Sequence, residues 1–280
     1  MSVGTVARRF VEICNQGRDF EVMRTLRRSA MRSVQFAAFV VATLALIGPA
    51  SAQEAKTVVL VHGAFSDGSS WDKVIPLLQA KGLNVVAVQN PLTSLADDVA
   101  ATRRAIAEQN GPVILVGHSW AGTVITEAGN DDKVVALVYV AAFAPADGQS
   151  SGELGKDYPP PSGSGKLKVD KSGFVTLTAE GVAKDFAQDV PAAQAKVMAV
   201  TQGPIAAKAF DDKVTAAAWK KKPSWYIVAK NDHMIQPELE QAMAKNIKAT
   251  TTTLPTSHVP MQSRPKDVSA VIIAAADAVK

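Results

Sequence analysis

The stretch "LVGHSWAG", Leu115 to Gly122, sets a serine at the end of an apolar run and directly ahead of a stretch with helical spacing. A serine placed there lies at a sharp chain reversal, where small neighbours such as Gly117 and Gly122 let strand and helix approach closely. A serine hydroxyl is unreactive near neutral pH. It becomes a nucleophile when an imidazole takes its proton and a carboxylate holds that imidazole in the right tautomer. Two later stretches carry those groups. Asp232 stands in "AKNDHMIQP" and His258 in "PTSHVPM", each just past a β-branched run. Asp147, after another such run, is the alternative acid. His233, beside Asp232, is a poorer base than His258, because acid and base should come from different strand ends. His118 reads as a packing and orienting residue.

Acyl transfer also needs donors for the oxygen that becomes negative, and paired backbone N–H groups are the usual solution. "VHGAFSDGSSW" provides such a loop, with Gly63 allowing close approach. The donors are assigned to Ala64 and to Trp120, the residue after the serine. Gly63 to Gly68 has neither the lysine of a phosphate-binding loop nor the glycine spacing of a dinucleotide site. The four histidines, His62, His118, His233 and His258, have no i, i+4 pairing, so no metal is expected.

The elements that must position these groups are legible as an alternation. Short β-branched runs, most of them apolar, at 57–61, 84–88, 113–116, 134–140, 225–228 and 250–254 are separated by amphipathic stretches at 71–81, 94–109, 121–129, 237–247 and 266–279. Apolar rather than alternating runs suit strands covered on both faces, so the expectation is a mostly parallel sheet of about six strands with helices on both faces. Ser94 with Asp97 forms a candidate capping box. From about 145 to 223 the alternation breaks. "KLKVDKSGFVTLT" reads as a hairpin turning at Ser172-Gly173, followed by short helices, as an inserted cap over the strand ends would.

With 280 residues, 47% of them apolar and 20% charged, the chain can bury a sizeable core and is not a disordered protein. Its net charge of +4 lies entirely in residues 1–52, where seven arginines face three acids; the remainder has equal numbers of each sign. That removes nucleic acid as an expected partner. "MRSVQFAAFVVATLALIGPASAQ" explains the asymmetry as a secretory signal cut after Ala52, its apolar run being shorter than the roughly 18 to 20 residues that span a bilayer. Residues 1–22 precede a better start at Met23. The expected organisation is therefore an N-terminal extension and signal peptide over 1–52 and a domain over 53–280, exported to the periplasm or secreted, without membrane attachment after cleavage. The only cysteine, Cys14, lies in the segment to be lost, which rules out a disulfide or thiol nucleophile in the mature chain.

Taken together, "VVLVHGAFSDGSSWDKVIPLLQAKGLNVVAV", "LVGHSWAG", "VYVAAFAP", "DHMIQPELE" and "SHVPM" resemble the α/β-hydrolase superfamily. Within it the chain is similar to the branch of plant methyl esterases, hydroxynitrile lyases and their bacterial relatives. The resemblance runs from about Lys56 to the end and is best outside 145–223. It implies an α/β-hydrolase fold with helical caps, no cofactor, the order serine, acid, histidine at Ser119, Asp232 and His258, and oxyanion donors at Ala64 and Trp120. The usual GxSxG motif would have glycine where this sequence has Ala121. Hydroxynitrile lyases of this type carry lysine directly after the histidine, where this chain has Val259, and Met261 resembles a methionine of the esterases. The implied activity is hydrolysis of a small carboxylic ester; a lyase or a small-molecule binding protein on the same fold are the other readings. Phe65, Trp120, Phe143, Met234 and Met261, with Phe186 or Trp219 from the cap, are candidate pocket groups.

Overall fold

The computed structural model describes residues 56–279. The N-terminal extension, the signal sequence with its Ala52 cleavage site, and Cys14 lie outside the described residues.

Six strands, β1 (Thr57–Val61), β2 (Asn84–Val88), β3 (Val113–His118), β4 (Val134–Val140), β8 (Ser224–Ala229) and β9 (Thr250–Leu254), form one sheet in the order β2-β1-β3-β4-β8-β9. Every pairing in it is parallel. The inner strands β1 and β3 are buried along their whole length, which is why they read as unbroken Val, Ile and Leu. The edge strands β2 and β9 are partly exposed and carry Asn84 and a run of threonines.

Helices α1 (Ile75–Gln79), α2 (Leu95–Ala107), α3 (Ala121–Ala128), α7 (Pro237–Asn246), the short α8 (Pro260–Ser263) and α9 (Pro265–Ala278) make the crossovers and the C-terminal cover. The chain steps from β1 outward to β2, then back past β1 to β3 and onward. Right-handed crossovers therefore put α1 on one face and α2, α3 and α7 on the other. The reversal between β1 and β3 opens a crevice at their carboxyl ends, the place where open parallel sheets bind ligands. His62 and Ser119 are the first residues beyond those two strands.

The expected helix over 71–81 is shorter than its spacing suggested. A 3-10 turn covers Gly68–Trp71 and the helix starts only at Ile75, with Pro76 in its first turn, where a missing N–H costs least. At α2 the Ser94 hydroxyl accepts from the Asp97 amide at 3.1 Å, while the Asp97 carboxylate takes the Ser94 and Thr93 hydroxyls instead of closing a reciprocal box.

Between β4 and β8 the chain forms α4 (Ser151–Leu154), β5 (Leu167–Val169), β6 (Phe174–Leu177), α5 (Ala179–Gly181), a π-helical turn (Val182–Phe186), α6 (Ala192–Thr201) and β7 (Ile205–Ala206). β5, β6 and β7 make a small antiparallel sheet. Its hairpin turns where expected: Gly173 has φ +81°, and the Asp170 carboxylate accepts from the Ser172 and Phe174 amides. β7 is two residues long, too short to leave a periodic signal in the sequence. Among the described residues, no helix is long and apolar enough to cross a membrane.

Candidate active site

The turn that follows β3 is strained in a way only its surroundings can sustain. Ser119 has φ +55°, in the left-handed region that costs a non-glycine residue about 1–2 kcal/mol. Three backbone bonds hold it there. The Ser119 amide donates to Val140 O at 3.1 Å, and Ser119 O accepts from the Gly122 and Phe143 amides at 3.0 and 3.2 Å. Two glycines make the approach possible. A Cβ on Gly63 would lie 2.7 Å from the Ser119 Cβ, and one on Gly122 only 2.0 Å from Phe143 O. Position 121 has no such demand on it, so Ala121 opens α3 as a buried residue and the close approach falls one position later.

The structure brings the three expected side chains together. The Ser119 hydroxyl lies 2.8 Å from His258 Nε2, and His258 Nδ1 lies 2.5 Å from Asp232 Oδ2. Asp232 follows β8 and His258 follows β9, adjacent strands whose ends bring the two side chains side by side. The second oxygen of Asp232, Oδ1, accepts from the Met234 and Ile235 amides at 2.6 and 3.0 Å. Burial alone works to raise the Asp232 carboxyl. The facing imidazole of His258, its hydrogen bond, and bonds from Glu240 and Ile235 outweigh it and hold the group below the usual carboxylate range. An ionised Asp232 keeps the proton on Nδ1, which leaves Nε2 free to accept from the serine.

His118 packs directly against His258. Its Nε2–H donates to His258 O at 2.8 Å, and its ring lies 4.9 Å from that of His258. Burial, then the neighbouring His258, push it down to about 3, so it stays neutral. Phe186, from the π-helical turn, sits with its ring 5.2 Å from His258 and edge-on to Phe65 at 6.4 Å.

On the other side of Ser119, the His62–Ser66 loop leaves β1. His62 Nδ1–H donates to Gly63 O, and its Nε2 accepts from the Asn90 amide, both at 2.9 Å. Phe65, at φ +60°, donates through its amide to Gly203 O at 3.2 Å. The amides of Ala64 and Trp120, both buried residues, donate to no protein group among the described residues. A buried amide without an acceptor is costly, and these two flank the close contact of Gly63 with Ser119, one from each strand end. The Trp120 indole is turned to α2: Nε1–H donates to Asp98 Oδ2 at 2.8 Å, and the ring packs edge-on against Phe210. The Trp120 side chain is thus engaged with α2, and its backbone is what borders Ser119. Asp98 Oδ1 accepts from the Leu92 amide at 2.8 Å, and burial pushes this carboxyl up to about 6 despite those two donors.

The alternative acid is remote in kind. Asp147 is exposed and paired with Lys220 at 2.7 Å. His233 is also outside the arrangement, half-exposed beside Asp185 at 3.4 Å. Trp219 donates its indole N–H to Pro145 O, so of the two aromatic residues considered from 145–223, Phe186 is the one against His258. Sequence reasoning missed Asp98, Asp189, which accepts from the Ser257 amide at 2.8 Å just before His258, and Glu240. Only Glu240 left a readable signal: a charged residue in the buried stripe of α7, between Leu239 and Met243.

Residues 58–271 match the model of the alpha/beta hydrolase family. The chain belongs to that family. Among curated members, it is 28% identical to the pyrethroid hydrolase of Sphingobium wenxiniae, over 79% of this chain and 88% of that one. It is 26% identical to methylesterase 8 of Arabidopsis thaliana, over 78% and 89% of the two chains. Among solved structures, the pyrethroid hydrolase from Sphingobium faniae superposes with a TM-score of 0.70 at 23% identity, covering 80% of this chain and 98% of its own. The alpha/beta hydrolase fold and the kinship with plant methylesterases expected from the sequence are thus both found.

Proposed function

We propose that this hydrolase is an exported serine esterase that cleaves a small carboxylic ester through an acyl-enzyme intermediate. The supporting observation is the buried chain of hydrogen bonds from the Ser119 hydroxyl through His258 to Asp232. Ser119 Oγ attacks the acyl carbon as its proton passes to His258 Nε2. Asp232 stabilises the imidazolium that forms, and the Ala64 and Trp120 amides receive the carbonyl oxygen as it becomes negative. His258 then returns the proton to the leaving alcohol. Water, activated by the same imidazole, releases the acid and restores Ser119. Residues 145–223 act as the cap, with Phe186 closing the site above His258. Val259, in place of the lysine of the related lyases, favours hydrolysis.

Turnover of a short-chain p-nitrophenyl ester by the form beginning at Gln53 tests this reading. Ser119→Ala is expected to lower kcat by at least about 10⁴-fold. Equal turnover by both forms would refute it. Export is checked by N-terminal sequencing of protein recovered outside the cytoplasm, which is expected to begin at Gln53.

A further inference from the structure

Glu240 is a fully buried acid that the ester mechanism above does not use. It sits on α7, which packs against β8, and its Oε2 accepts from the Ala229 amide at 2.9 Å. No N–H or hydroxyl group reaches Oε1, which is also out of contact with water. What the carboxyl does meet is another acid: the side chain of Asp232 lies within hydrogen-bonding reach of it, and the two acids flank Ala229, whose amide donates to Glu240 Oε2 and whose carbonyl accepts from the Asp232 amide at 3.2 Å. Two carboxylates cannot make a hydrogen bond unless one of them carries a proton, and in a buried site both cannot be charged. The donors decide which is protonated. Asp232 receives three N–H bonds, from His258, Met234 and Ile235, and faces an imidazole that becomes cationic. Glu240 receives one.

We propose that Glu240 is a positioning residue for the hydrolase reaction: as a neutral acid it donates its Oε1 proton to Asp232 and so fixes the carboxylate that orients His258. The arrangement extends the relay to Ser119, His258, Asp232 and Glu240, with a single negative charge, on Asp232. Burial, the Asp232 charge and the shared hydrogen bond, in that order, all push the Glu240 carboxyl well above its ordinary value. The other ionisable group against the pair, Tyr226, is itself held neutral by burial, and its hydroxyl donates to Ala142 O. The inference rests on the esterase reading for its effect on rate, but not for the protonation of Glu240.

Three measurements test it. Glu240→Gln keeps the shape, a donor to Asp232 and an acceptor for the Ala229 amide. It is expected to leave kcat/KM within about threefold of wild type, with an unmoved acidic limb of the pH profile. Glu240→Leu leaves Asp232 without that donor and is expected to lose about 10–100-fold in kcat with little change in KM, in the range of other orienting partners. A Gln variant as impaired as the Leu variant, or one whose acidic limb moves to lower pH because a negative charge has been removed, overturns the proposal. The third measurement needs neither variant to fold nor the enzyme to turn over an ester. At pH 8 Asp98, at about 6, is ionised, so infrared spectra of the wild-type protein should retain a protonated-carboxyl C=O band from Glu240. Absence of that band overturns the proposal even in an active esterase, and its presence in an inactive protein leaves the esterase reading alone in error.

Discussion

Both sides of Ser119 hang from a carboxyl group shut away from water, and the two are tuned in opposite directions. On the β8–β9 side, Asp232 is held below the ordinary range; on the α2 side, Asp98 is pushed up to about 6. Burial works against the charge in both. Asp98 has only neutral donors, the Leu92 amide and the Trp120 indole, whereas Asp232 has two amides and an imidazole that can become cationic. Neutral hydrogen bonds shape a buried carboxylate without offsetting its desolvation; a neighbour that can carry positive charge does. One side is therefore arranged to meet charge as it develops, and the other to hold a loop and an indole in place.

Substituting each acid by its amide should separate these roles. Asp232→Asn is expected to reduce kcat by about 10⁴-fold, since the amide favours the wrong tautomer of His258. Asp98→Asn, which leaves the relay untouched, should cost about tenfold or less. Ester turnover at pH 8 in both variants decides the matter, and a similar loss in the two would erase the distinction.

The pH dependence of stability sharpens the contrast. The Asp98 carboxyl is raised in the folded protein, from 3.8 to about 6. Its contribution is thus fully present below about 4 and is lost as the pH rises through 6. From the linkage relation this amounts to at most about 3 kcal/mol. Asp232, lowered on folding, acts in the other sense, stabilising above its unfolded value and losing that contribution as the pH falls. Denaturant unfolding of wild type and Asp98→Asn between pH 4 and 8 should show wild type losing stability relative to the variant as the pH rises. A constant difference would mean that Asp98 is not raised.

A further pair of substitutions concerns the two residues after Trp120. Gly122→Ala drives a methyl against Phe143 O, 2.0 Å away, and is expected to cost about 3 kcal/mol or more. Ala121→Gly, which recreates the commoner motif, should cost only about 0.5–1 kcal/mol through backbone entropy and leave kcat nearly unchanged. Thermal unfolding of the pair would show whether the close approach belongs to position 122, as the coordinates place it.

The sheet was readable in the sequence because strands covered on both faces must be apolar along their length, as at β1 and β3. Ser119, Asp232 and His258 were readable because each follows a β-branched run, and parallel strands present their carboxyl ends along one edge. Asp98 was not, since an acid in the first turn of a helix ordinarily faces solvent; only the packing of α2 against α3 encloses it beside Trp120. The shortened α1 and the two-residue β7 escaped for local reasons, a proline and a lack of length.

The amino-acid order by itself determined the parallel sheet, the sharp turn at Ser119 and the residue types available for a relay, because periodicity and chain reversal are properties of neighbours. Which acid meets His258, that Trp120 turns its ring to Asp98, and that Glu240 lies against Asp232 were decided only by the tertiary structure. Those contacts join residues distant in the chain, and burial, which sets the charge of each acid, exists only once the elements have packed.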